Sequence, residues 1–501
     1  MKILWNIAIC MLFCGILFAQ EAPEFGGTIR VATSADISTV YPWEMTDTET
    51  MMVFQNVYEP LIRLKKHSAD MEPALATHWE VSKDFKKWTF HLRKNVKFHD
   101  GSPFNANSVI DSLSLKKNLP AKMKKIDNST IVFELEKPDA AFAITISIEY
   151  HSIVGPPTIK CYKEKCENPV AVGTGPYTFY KWEPTKQVIL RANENYWGGR
   201  PFIDEAIFIP FKINSELMKA LKNKTIDLAQ NILPSNIAEV RKTPNLNFQS
   251  IPAMSVGYLA MNAEKAPFDN SKVRIAVSYA INKKELVNKY FYGRQAALVA
   301  KSCLPISMFG YHADLEERAY DPAKAKALLK EAGYPNGFET TLLPPPVARP
   351  YMPEPLKMAE DVKKYLADVG IKATIVNSKS FSTFLDVGYK GDYDMMLFGW
   401  IADTIDPNDF LTSLLSKAAI GTSNTTRWSH PQFEYMLETA RNQSISARVK
   451  TYQEAQILFN NEMPFIPLVY AMQLATWNDR VKGYKLHPAT RFYLQNIWIS
   501  E

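Results

Sequence analysis

FGWIADTIDPNDF, residues 398–410, is the stretch on which the reading of this chain turns. The run leading into it, YDMMLFGW at 393–400, is apolar and aromatic, has no internal proline and has the length of a strand, which predicts a buried strand. A helix is expected to follow. Asp406 suits its N-cap, Pro407 the first helical position, where a missing N–H costs nothing, and Asp409 the positive end of the helix dipole. Capping thus accounts for Asp406 and Asp409. Asp403 instead falls between strand end and helix start, where open α/β sheets gather ligand-contacting groups. A solvated loop carboxylate is the other reading of that position.

A second loop of the same kind is LLPPPVARPYMPEP, residues 342–355. Its six prolines each fix φ, which reduces the entropy lost when the loop is ordered. The loop is a stiff mount for Arg349 and Tyr351 between an expected strand at 339–343 and an expected helix at 356–369. A guanidinium there has the planar fork that grips a carboxylate, although a structural arginine satisfying loop carbonyls fits the pattern too.

Around these loops the chain divides. Its 501 residues exceed what one core usually serves, and 46% hydrophobic content suffices for more than one. Residues 1–19 carry one charge, Lys2, then an apolar run to Phe18 and a small residue, Ala19, which reads as a secretory signal peptide. Phe13 before Cys14 argues against a lipoprotein anchor. No later segment is long and apolar enough to span a membrane. Residues 20–253 are read as lobe I with a smaller subdomain, 254–470 as lobe II, and 471–501 as a return to lobe I. Crossings at 251–255 and near Tyr470 would form a hinge. Within lobe II the spacing predicts long helical runs across 272–290 and, between Asp321 and Gly333, a helix with a cap at each end.

Without the signal the chain keeps 57 basic and 52 acidic residues, a net charge of +5, too slight to imply nucleic acid. Its densest basic stretch, 115–125, lacks the interleaved aromatics of a base-stacking surface. Export makes a Cys161–Cys166 disulfide the expectation, with Cys303 unpaired; a metal site at that C-x4-C is the weaker reading without a nearby histidine. The eight histidines are scattered without metal-ligand spacing, and no metal or cofactor is expected. G-x-S-x-G, H-E-x-x-H and Walker motifs are missing, so an enzyme is not expected.

Several separated stretches resemble one family: NVYEPLIRL from Asn56, ALATHWEVSKDFKKWTFHLRKNVKFHDG from Ala74, VGTGPYTF from Val172, FDNSKVRIAVSYAINKKEL from Phe268 and YDPAKAKALLKEAG from Tyr320. They resemble the large extracytoplasmic solute-binding proteins of peptide and nickel ABC importers, the dipeptide-binding branch most of all. WSHPQFE at 428–434, though close to a purification tag, matches a helix start in that family. The resemblance implies an α/β fold of type II periplasmic-binding-protein architecture, two lobes and an extra subdomain closing on a ligand at the hinge cleft. It implies that Arg349 and Tyr351 hold a ligand carboxylate and that Asp403, after Gly399 and Trp400, holds its ammonium. Residues 35–43 resemble a first-lobe segment that helps cover the ligand. The implied protein is a periplasmic monomer delivering short peptides, dipeptides foremost, to inner-membrane permease subunits; the same lobes also serve chemoreceptor-coupled sensing. A nickel chelate, haem or longer oligopeptide is the alternative ligand, and a chelate or haem would recruit Arg349 with a histidine such as His151 or His430.

Overall fold

A strand of fourteen residues, Phe465–Asn478, runs through the centre of the molecule and belongs to both halves of it. In the computed structural model residues 22–65, 70–116, 119–402 and 404–500 are described, so the expected signal peptide and Asp403 itself lie outside the described residues. On one side the long strand pairs antiparallel with Ser255–Met261, and beyond that come Met395–Ile401, Glu339–Leu343 and Lys372–Ile375. Every residue of Ser255–Met261 is buried, which is why SVGYLAM is small or apolar almost throughout rather than alternating. Helices cover both faces of this half. Val273, Met358 and Val362 pack on one face, and Phe410, Phe433 and Phe459 on the other.

Towards its C-terminal end the long strand pairs with Leu246–Pro252 along the edge that Ser255–Met261 occupies earlier and with Leu228–Gln230 along the opposite edge, and from there the sheet continues through Thr28–Thr33, Glu205–Pro210, Gln187–Ala192 and Tyr177–Glu183. The change of partners falls between Val469 and Met472. Pro467 sits within the strand, where it has no N–H to give the ladder, and the pairing register shifts opposite it at Gly257/Tyr258. A smaller antiparallel sheet, Ala76–Val81, Lys87–Leu92, Thr130–Leu135 and Ala121–Asp127, forms the subdomain, with Trp88, Phe90, Phe133 and Phe142 in its own core.

Local expectations fare unevenly. Asp321 accepts from Lys324 N–H at the start of Pro322–Glu331, and Gly333 beyond that helix has φ +94°, as the caps predict. The run across 272–290 is instead two helices, Ser271–Ala280 and Lys283–Tyr290. Ile281 turns extended, and the side chain of Asn282 accepts from Glu285 N–H to begin a second helix. The expected Cys161–Cys166 bridge is not made. Cys161 is buried, 3.6 Å from Tyr41 Oη, and Cys166, exposed after a left-handed Lys165 at the helix end, lies within hydrogen-bonding reach of it with both thiols free. Cys303 is free and buried.

Candidate ligand-binding site

Glu339–Leu343 and Met395–Ile401 are parallel neighbours, with Leu342 opposite Met395 and Leu343 opposite Met396. Parallel strands end on the same side of a sheet, so the loop carrying Arg349 and the loop carrying position 403 leave side by side. Residues 349–352 form a tight turn closed both ways: Arg349 N–H donates to Met352 O at 3.0 Å, and Met352 N–H donates to Arg349 O at 2.9 Å. The Arg349 guanidinium lies 4.0 Å over the Phe381 ring. Its Nε is buried without a hydrogen-bond partner among the described residues. A buried donor left unpaired is costly.

Tyr351 is 5% exposed and rests on a floor of two glycines that face each other across the strands Ser255–Met261 and Met395–Ile401. A Cβ on Gly399 would stand 2.3 Å from Tyr351 Cδ2, and one on Gly257 would stand 2.7 Å from Tyr351 O. Gly399 is therefore required by close approach of the ring. Burial pushes the Tyr351 hydroxyl up to about 12, so it is a neutral hydrogen-bonding group at physiological pH.

The second loop is pinned on both sides of position 403. Ala402 N–H donates to Met254 O at 2.8 Å, and Thr404 N–H donates to Asp409 Oδ2 at 3.0 Å. Asp409 also accepts from the Trp400 indole at 3.2 Å, so its carboxylate bridges two parts of the loop rather than only facing a helix dipole. Asp406 departs further from its expected role. The helix Asn408–Leu415 begins after Pro407; Asp406 does accept from Asn408 N–H at 2.9 Å, but its carboxylate is buried against the Arg448 guanidinium at 2.5 Å. In the first lobe, Asp36 of the 35–43 segment is turned to its own scaffold, accepting from the Trp182 indole at 3.1 Å and from Thr185 N–H at 2.6 Å.

Between this loop and the small subdomain lies a cavity of about 910 Å³. Thr404, Asp406 and Thr412 line it from lobe II, and Asp139, Thr145 and His151 from the subdomain. His151 Nδ1, Asn408 Oδ1 and Thr412 Oγ1, all on residues lining the cavity, are buried without hydrogen-bond partners among the described residues. Burial, helped by nearby Lys116, lowers His151 to about 4 and keeps its ring neutral. Asn408 and Thr412 read as ordinary helix residues in the sequence; only their spacing of four, which puts them on one helix face, could have paired them. His430 is not part of this group, since its Nδ1 accepts from Gln432 N–H at 3.2 Å as a helix cap.

Residues 70–422 match the family described as bacterial extracellular solute-binding proteins, family 5 middle. The chain belongs to this family. This family 5 protein is 34% identical to heme-binding protein A of Haemophilus influenzae, over 87% of this chain and 85% of that one. It is 32% identical to the dipeptide-binding protein of Escherichia coli over 89% of each. Its fold matches a dipeptide binding protein from Pseudoalteromonas sp. SM9913 in complex with Met-Leu, with a TM-score of 0.81 and 26% identity over 95% of this chain and all of that one. The two-lobed type II architecture expected from the sequence is thus the fold of this family 5 protein. Among its described residues no helix is long and apolar enough to cross a membrane.

Proposed function

We propose that this family 5 protein captures short peptides, dipeptides foremost, in the periplasm after removal of residues 1–19 and delivers them to the permease of an ABC importer. The observation that carries this reading is the parallel pairing of Glu339–Leu343 with Met395–Ile401, which sets the Arg349 turn beside the loop of Asp403. Arg349, whose Nε has no partner among the described residues, takes the ligand carboxylate, and Asp403 takes the ammonium. Tyr351 positions the arginine loop, and Trp400 walls the site between them. The lobes close about the extended segments near residues 253 and 470. Similarity to dipeptide-binding proteins of known name supports the ligand class.

A larger ligand is favoured by one specific observation, the cavity of about 910 Å³ beside the same loop, and by the likeness to a haem-binding protein. Native mass spectrometry of freshly purified protein distinguishes the two. The dipeptide reading expects added masses of two-residue peptides that leave on gentle activation. An added mass of haem, a metal chelate or peptides of four or more residues overturns it.

A further inference from the structure

Away from the cleft, three metal-ligating side chains converge on the outer face of the subdomain sheet. His78 and Glu80 are two residues apart on Ala76–Val81 and so share a face, and the register sets His91 directly across from His78. Phe90, next to His91 in sequence, points the other way into the subdomain core. The two imidazoles are stacked, 4.1 Å between centroids and 9° from parallel. His91 Nε2 stands 3.7 Å from Glu80 Oε1, and one ligand atom from each of the three residues lies within 4.8 Å of the others.

The hydroxyl of Thr77 organises the group. It donates its one proton to His91 O at 3.1 Å and lies 3.0 Å from His78 Nδ1. With that proton committed, the hydroxyl accepts from Nδ1–H, which leaves the Nε2 lone pair of His78 free. This is the arrangement in which metal-bound histidines are usually held, one ring nitrogen on a neighbouring oxygen and the other on the ion. His91 Nε2 has no hydrogen-bond partner among the described residues.

We propose that His78, Glu80 and His91 bind one divalent transition-metal ion of the imidazole-preferring kind, zinc foremost, with Thr77 as a positioning residue. Zinc bonds of about 2.1 Å at tetrahedral angles place ligand atoms about 3.4 Å apart, so these atoms need to close by at most about 1.4 Å, a rotamer adjustment that the exposed His78 and Glu80 can make towards the half-buried His91. Both imidazoles bind in their neutral form through a ring-nitrogen lone pair. The fourth position is left for water or a group from another molecule. The ion ties two adjacent strands together across their outer face.

Calorimetric titration of the tag-free protein with zinc chloride tests this, alongside long-range ¹H–¹⁵N spectra of the histidine rings. The expected result is one zinc per chain, with Nε2 of two histidines shifting on addition. His78→Gln and Glu80→Gln each weaken binding at least tenfold; Thr77→Val weakens it about tenfold and Thr77→Ser restores it. Cys166→Ser leaves it unchanged, which separates this site from the thiols. No uptake at micromolar zinc, uptake that survives His78→Gln, or uptake lost in Cys166→Ser would overturn the assignment.

Discussion

Arg448 Nη2 lies 2.5 Å from Asp406 Oδ1, with the arginine side chain wholly buried and the aspartate 4% exposed. Burial lowers the arginine's proton affinity, but the adjacent Asp406 carboxylate outweighs it and the guanidinium is held above its ordinary range. Tyr452 Oη, within 2.5 Å of the same nitrogen, completes the group. This pair fastens the loop after Trp400 to the long helix Ile445–Glu462. Arg448→Met leaves Asp406 buried and unpaired and is expected to destabilise the fold by about 3–5 kcal/mol in urea denaturation. Adding Asp406→Asn should recover part of that loss. A single-variant loss below 1 kcal/mol, on that order-of-magnitude scale, would show the pair to be dispensable.

Ligand charge is predicted to be read at two separate points. Asp403→Asn should weaken free dipeptides far more than N-acetylated ones, and Arg349→Ala should weaken acids far more than amides. An extended dipeptide spans roughly 6–7 Å, and each further residue adds about 3.3 Å, so on the proposed assignment a tripeptide would reach only one of the two partners. Stranding the other charge costs about 2–5 kcal/mol, a selectivity of roughly thirtyfold or more in thermal-shift or calorimetric affinities. Equal affinity for both ligand lengths would remove the charge ruler.

Gly399→Ala tests the glycine floor. The added methyl has no room beneath the Tyr351 ring, so the ring and the 349–352 turn must move. Overpacking of this kind costs about 1–3 kcal/mol, and the folded protein is expected to survive it. Peptide affinity should fall about tenfold with little change in far-UV circular dichroism. Unchanged affinity would mean that the position of Tyr351 does not matter to binding.

Acid should loosen the fold through two histidines. Burial lowers both His99 and His151 from near 6.5 to about 4. His99 is held neutral between Gly173 N–H at 3.2 Å and Gly175 O at 3.0 Å. A depressed folded-state value means that the unfolded chain binds the extra proton first. The stability these rings contribute is therefore complete above pH 6.5 and is lost as pH falls towards 4. Each contributes a slope of about 1.4 kcal/mol per pH unit within that window. Melting temperature recorded against pH should fall there, and less steeply in His151→Gln. Resonances of His99 and His151 titrating near 6.5 in the folded protein would contradict the burial argument.

What the sequence made legible was whatever depended on near neighbours. Asp321 and Gly333 cap their helix, and the prolines of 344–355 announce a rigid mount, because φ preference and capping act within a few residues. Asp406 and Asp409 looked like local caps, yet their carboxylates are claimed by Arg448, 42 residues on, and by Trp400 across the loop. No periodicity reveals such a choice. Asn282 shows the limit from the other side: the residues across it read as continuous helix, and one side chain competing for a backbone N–H divides them. His78 and His91, on two strands of one hairpin, come together only through pairing register, so linear spacing hid them.

The Phe465–Asn478 strand bears on how the protein is made. It is the last long strand to leave the ribosome, yet it fills the central position in the sheet, between Ser255–Met261 and Leu228–Gln230. Until it arrives, each half-built sheet presents an open inner edge that nothing earlier in the chain can close. A nascent chain interrupted before residue 465 cannot complete its native sheet. The topology thus couples the two halves, since both sheets are completed by the one segment that is made last.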